Sequence, residues 1–339
     1  MRTESRHLLS RVADSVFWMA RYIERAENVA RFIGVNLNLQ LDLPLDPSDQ
    51  WQSLIDTSGD SKVFKERFGA ATQDTVVEFL AFDPENPNSI LSCLRAAREN
   101  ARSIRDTISS EMWEQVNRLY LEIHGLRARP EPEQLLDFFQ QVRMGGHLFE
   151  GLTNATMSHN EAWHFARLGQ MLERADKTSR ILDVKYFILL PSTRDVGTPY
   201  DDIHWSAVLK SVSGFEMYRK KYGRISPRDV VSFLVTEREF PRAIHFSIRS
   251  ADASLHAITG TPMGSFVYTS EQRMGMLRAE LDFTSVDEII RQGIHEYLDS
   301  VQLKLNGIGD SLKNDFVERE SSQSQSQSQS QVAGVEGIL

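Results

Sequence analysis

A chain of 339 residues, 41% hydrophobic and 25% charged, is long enough for two domains that each bury a core, and its makeup is typical of a soluble globular protein. A formal charge of −9 argues against a broad nucleic-acid-binding surface. The single cysteine, Cys93, excludes an internal disulfide framework and a cysteine-based zinc site.

The first predicted element is a long helix. From Val12, apolar or small residues fall at 12, 16, 19, 23, 26, 30, 33 and 37, the 4-3 alternation of one buried face. Ser10 is a candidate N-cap. A second stripe runs Trp18, Tyr22, Arg25, Val29 and Phe32, so Arg25 lies among aromatic residues. Glu24 falls at the edge of the polar face with Glu27 and Arg31. Adjacent helical residues do not face each other, so Glu24 and Arg25 each need a partner on another helix. Glu27 with Arg31 has the spacing of an ordinary surface pair.

Short helices are expected at 51–57 and 74–82. Asn88-Ser89 opens a further helix with apolar positions 90, 94, 97, 101, 104 and 108. Cys93 lies near that stripe and reads as a buried, inert thiol. Arg95, Arg98, Arg102 and Arg105 line one face of the same helix, as a solvated surface or as an anion- or partner-docking face. Residues 133–155 read as helix.

The stretch Ser158–Glu161, "SHNE", has capping-box spacing and opens a second long helix. Glu161 and His164 show the Glu-x-x-His spacing of di-metal bundles. Such sites need two of these motifs and two more carboxylates, which are not found, so no metal is expected. In this helix Glu173 and Arg174 repeat the earlier dipeptide, and Arg167, Met171, Arg174, Thr178 and Ile181 repeat the stripe. Asp176 with Arg180 repeats the surface-pair spacing. Further helices are expected at 205–213, 228–235 and 285–306. Residues from 317 onward, with "SSQSQSQSQSQ" at 321–331, have little to bury and read as a disordered tail.

The chain matches itself. Glu24-Arg25 and Glu173-Arg174 stand 149 residues apart; from Trp51/Trp205 to Ala97/Ala251 the offset is 154 without a gap. It pairs Gly69 with Gly223, Val76-Val77 with Val230-Val231 and Pro87 with Pro241. The five extra residues fit in "LPSTRDVGTPYDD". A period this long implies a duplicated domain rather than a solenoid. The fold class read here is all-α: two tandem helical bundles, 1–154 and 155–316, and a disordered tail, 317–339.

The segments "YIERAENVAR", "MLERADKTSR" and "NPNSILSCLRAARENARSIRDTISSEMW" resemble the alpha-E family, a bacterial all-α domain with a Glu-Arg motif, usually in tandem. The resemblance spans residues 5–310 and carries the motif onto Glu24, Arg25, Glu173 and Arg174. It implies partners: circularly permuted ATP-grasp or carboxylate-amine ligase proteins, transglutaminase-like proteins and an NTN-hydrolase peptidase. It thereby implies a peptide synthesis or modification system.

No P-loop or dinucleotide-binding glycine fingerprint is present, so no cofactor is expected. The N-terminus lacks an apolar leader segment and no apolar run approaches a membrane span, so a cytoplasmic location without nucleic-acid or membrane partners is expected. The function read here is the non-ATP-binding component of a peptide or amide ligation system, binding a ligase partner or its peptide substrate. Two other readings stay open: an enzyme acting on a carboxylate-amine substrate through the paired motifs, and a structural adaptor. The four motif residues are either clamps between helices or a ligand pocket.

Overall fold

A computed structural model describes residues 8, 10–42, 47–125, 134–189 and 199–318; the Ser/Gln tail lies outside the described residues. Among the described residues there are helices and no strands. The first half runs α1 (Ser10–Asp42), α2 (Pro47–Ser58), α3 (Ser61–Phe68), α4 (Gln73–Val77), α5 (Ile90–Ser103), α6 (Ser110–Gly125) and α7 (Leu135–Thr156). The second runs α8 (Glu161–Leu189), α9 (Pro199–Ser211), α10 (Phe215–Tyr222), α11 (Pro227–Val235), α12 (Ile244–Thr259), α13 (Thr269–Phe283), α14 (Val286–Gln292) and α15 (Ile294–Lys313). A π-helical turn, Glu78–Phe82, extends α4, and another, Asn314–Glu318, extends α15.

The two long helices α1 and α8 lie against each other at the centre. On one side α5 and α7 pack on α1, with α6 packed against both; on the other, α12 and α15 pack on α8, with α13 packed against both. A helix buried from two sides needs two apolar stripes. In α1 the stripe of Val16, Met19, Ile23, Ala26, Ala30 and Ile33 is buried, while Trp18, Tyr22 and Phe32 of the other stripe are half-buried. One continuous hydrophobic core runs from Ala13 to Leu312 through both halves.

The offset of 154 relates local geometry as well as residues. Trp51 and Trp205 are both buried. Gly69 (φ 74°) and Gly223 (φ 76°) end α3 and α10, donating to the carbonyls of Lys65 and Arg219. Thr72 and Ser226 cap α4 and α11 by accepting from Thr75 and Asp229. The segments "VVEFL" and "VVSFL" are helical as expected, and Val76, Val77, Phe79 and Leu80, like Val230, Val231, Phe233 and Leu234, all turn into the core.

Three sequence expectations need correction. The cap of α8 is Asn160, whose side chain accepts from the Trp163 amide at 3.3 Å; Ser158 is not the cap, and Glu161 instead accepts from the Leu8 amide at 3.0 Å. The helix expected over 285–306 breaks at Gly293, whose φ of 104° is closed to ordinary L residues, and then continues to Lys313. The helix carrying the arginine stripe ends at Ser103, which leaves Arg105 beyond it.

The central contact depends on Gly169. A Cβ there would collide with the Phe17 carbonyl of α1, a backbone atom that cannot swing aside, and with the Phe17 ring 3.1 Å away. Gly169→Ala should therefore destabilise the protein by about 1–3 kcal/mol, the usual cost of overpacking, measured by urea unfolding. A change within about 0.5 kcal/mol, the surface range, would show that the helices are not held this close.

Candidate functional site

The two Glu-Arg pairs meet across α1 and α8, each arginine taking the other helix's glutamate. Arg25 donates Nε to Glu173 Oε1 at 2.6 Å and Nη2 to Glu173 Oε2 at 2.9 Å. Arg174 donates Nε and Nη2 to the two oxygens of Glu24, both at 2.8 Å. Both are two-pronged contacts that suit the planar guanidinium and that a lysine cannot make. The four motif residues are thus brought together as two crossed clamps. Glu24, Glu173 and Arg174 are sealed from solvent; the Arg25 side chain keeps 14% of its exposure.

The clamps sit in a larger network. Glu173 also accepts from Arg21 Nε at 2.9 Å and lies 3.6 Å from Lys177 Nζ. Arg25 Nη1 donates to Asn88 Oδ1 at 2.7 Å. Around Glu24, Asn28 donates at 3.0 Å, and Gln170 and Arg242 each at 3.3 Å. Arg174 Nη2 reaches Glu150 Oε2 at 3.0 Å. Arg242 also forks onto Glu27 at 2.9 and 3.0 Å. Arg21, Asn88, Gln170 and Arg242 had no signal of their own. The internal repeat could have supplied one: Arg21 and Gln170 stand 149 residues apart, and Asn88 and Arg242 stand 154 apart.

Two pairs expected on the surface are interior. Glu27 and Arg31 do pair, but both are buried, with Arg242 and His147 also on the Glu27 carboxylate. Asp176 pairs with Arg180 at 3.0 Å and with Lys177 at 3.2 Å, and it is buried too. The polar edge of α1 and of α8 is the seam of the molecule, so charges there are matched rather than solvated.

The electrostatics follow from this packing. Burial alone would raise the Glu24 carboxyl, but the charge and hydrogen bonds of Arg174, the charge of Arg242 and the Asn28 amide outweigh it and hold it at about 2. Burial likewise opposes ionisation of Glu173, and Arg25, Arg21 and Lys177 overcome it, holding that carboxyl well below its ordinary value.

The clamps differ in their access to solvent. Glu24–Arg174 is enclosed. Arg25, with Arg21, Lys177 and Arg180, faces a cleft of about 710 Å³ between α1, α8 and α15. Trp18, Phe165 and Phe316 give it an apolar stretch of lining, and Asp14, Asp310 and Lys313 line it as well. Arg21 lies over the Trp18 ring, 4.7 Å from its centroid.

The arginine stripe lies away from this cleft. Arg98 donates to Asn117 at 2.7 Å and lies over the Tyr120 ring at 5.2 Å. Arg102 pairs with Glu99 at 2.6 Å, Arg105 sits 4.9 Å over Trp113, and Arg95 is exposed beside the Pro84 carbonyl. Cys93 is fully buried, and burial pushes its thiol up to about 12.

Two measurements probe the seam. Glu173 is shared by three cations, so Glu173→Gln leaves them repelling one another and should cost about 3–5 kcal/mol, more than Arg25→Ala, which leaves Glu173 with Arg21 and Lys177. The reverse order in urea unfolding would show that Glu173 is not the shared partner. Because Glu24 and Glu173 are depressed in the fold, their contribution is complete above the ordinary value of 4.5 and is lost as pH falls below it, for Glu24 towards about 2. The decline below pH 4.5 should be shallower in Glu24→Gln. Superimposable acid curves would contradict this.

Comparison with known proteins identifies a family with the same motif. Residues 8–317 match Alpha-E, described as a predicted alpha-helical domain with a conserved ER motif. An uncharacterized protein of Mycobacterium bovis is 23% identical over 327 residues, which cover 89% of this chain and 36% of the relative. Uncharacterized proteins of two Mycobacterium tuberculosis strains match with the same identity and coverage. The chain therefore spans little more than a third of the length of these curated relatives. No solved structure matches. With its two Glu-Arg dipeptides at the centre of an all-helical fold, the chain belongs to the Alpha-E family.

Proposed function

We propose that this protein is the non-ATP-binding component of a peptide or amide ligation or modification system, and that it works by binding an ATP-grasp ligase partner or its peptide substrate. Its two halves are read as copies of one helical unit. The observation that carries a binding role is the reciprocal pairing of the motif: Glu24 with Arg174 and Glu173 with Arg25, three of the four sealed. A general acid or base must reach the proton it transfers. These carboxylates are held ionised by arginines and turned into the seam, so the pairing favours a scaffold over an enzyme acting through the motif.

The ladder of half-buried Arg98 and exposed Arg102 and Arg105, interleaved with Trp113 and Tyr120, is the candidate docking face for a ligase. Its cations are held by aromatic faces and by single acidic neighbours, which leaves them within reach of a partner's carboxylates.

The test is co-expression with a circularly permuted ATP-grasp protein and with a transglutaminase-like protein, followed by size-exclusion chromatography. A stable complex with the ligase is expected. Arg98→Glu/Arg102→Glu should weaken it about tenfold, ~1.4 kcal/mol, with helicity unchanged and with the complex weakening as salt is added. Amide formation by this chain alone, from ATP, a carboxylate and an amine, would contradict the proposal. So would unchanged affinity of the double variant at low salt.

A further inference from the structure

We infer that the cleft between α1, α8 and α15 is a binding site for a small organic monocarboxylate carrying an aromatic or branched apolar group. This stands on the cleft alone and not on the ligase reading. Its volume of about 710 Å³ is that of a site for one small ligand.

The floor is cationic. Arg21, Arg25, Lys177 and Arg180 are set against Asp176 in the lining and Glu173 beneath it. Arg25 has a partner at each nitrogen, with Nε and Nη2 on Glu173 and Nη1 on Asn88. Arg21 spends Nε and Nη2 on Glu173, and Arg180 spends Nε on Asp176. The Nη1 group of Arg21 and both Nη groups of Arg180 make no hydrogen bond among the described residues. These are the donors left for an anion, and guanidinium groups suit a carboxylate.

Further charged residues of the lining limit the ligand's charge. Asp14 accepts from Trp18 and lies in the field of Lys313, and Asp310 stands one helical turn before Lys313. Those two carboxylates outnumber the one cation beside them, and Asp60 joins Asp176 and Glu173 in the field of Arg180, so the surplus of positive charge in the lining is small. Carboxylates at Asp14 and Asp310 in the same lining oppose the second charge of a phosphate more than the single charge of a carboxylate.

The apolar wall sets the rest of the ligand. Trp18 and Phe316 are half-buried, and Phe165 packs edge-on to Phe316 with ring centroids 5.6 Å apart. An aromatic or branched group laid there completes a rim that is already partly formed. The counterpart positions in the second half lack this arrangement: Gln170 stands where Arg21 does, and Arg167 where Trp18 does.

The probe is N-acetyl-L-phenylalanine, titrated calorimetrically into the full chain beside its amide and phenyl phosphate. The acid should bind, and the amide should bind at least about tenfold more weakly, ~1.4 kcal/mol. Arg180→Gln and, separately, Arg21→Gln should weaken acid binding to a similar degree. Thermal midpoints of both variants check that the fold is kept. The acid–amide comparison on the unaltered chain decides the matter even if a variant unfolds. Equal binding of acid and amide, tighter binding of phenyl phosphate, or no binding of the acid would each overturn the inference. Acid binding without ligase capture would remove the ligase reading and leave this one standing.

Discussion

Two glutamates at the contact of α1 and α8 are each gripped by an arginine from the opposite helix, and the arrangement of the rest follows from that exchange. Four charges taken out of water are costly, and their mutual attraction offsets this only when geometry is good and the remaining donors are satisfied. Here the arginine-glutamate contacts are two-pronged at 2.6–2.9 Å, and the spare positions go to Asn28, Asn88, Arg21 and Glu150. The gain is specificity of register more than net stability. Glu24 meets Arg174 while Arg25 meets Glu173, so sliding either helix by one residue breaks both clamps at once. Apolar surfaces alone would tolerate such a shift, because one buried methyl group resembles another.

The clamp needs close backbones, which Gly169 permits, and a seam in which nearly every charged residue has an opposite. The same seam explains why Glu27, Arg31 and Asp176 are interior. Its two ends differ. At Glu24 the position equivalent to Arg21 holds Gln170, a neutral amide, the second cation is Arg242, and the site is closed. At Glu173 the second cation is Arg21, and the site opens onto a cleft walled by Trp18 and Phe316. One interaction, made twice, is thus a sealed joint in one place and the floor of a cavity in the other.

Much of this was legible in the sequence. The stripe from Val12 to Leu37 shows α1, the 149- and 154-residue offsets align the two halves, and the demand of Arg25 for a partner on another helix follows from helical geometry. The helices α3, α6, α10 and α13 were less visible. Their apolar positions are few or interrupted, as in α3, where Phe64 is buried between lysines, and in α13, where Met276 and Phe283 face outward. The polar seam was the main misreading. An i,i+4 pair such as Glu27–Arg31 looks the same in sequence on a wet face and in a buried joint. What decides between them is Arg242, more than 200 residues away, and no local pattern shows it. The cleft depends likewise on α15 packing on α8 and on the turn after it, Asn314–Glu318, packing on α1, tertiary contacts without a motif.

The most direct test of the clamp is a double-mutant cycle on Glu24 and Arg174, using Glu24→Gln, Arg174→Met and the combined variant, with stability read from urea unfolding. The pair is in contact and enclosed, so the two substitutions should be non-additive, with a coupling of about 1–3 kcal/mol and the double variant less destabilised than the sum of the singles. Additivity within about 0.5 kcal/mol would mean that the two residues do not act on each other, and the exchange of partners between α1 and α8 could not be what sets their register.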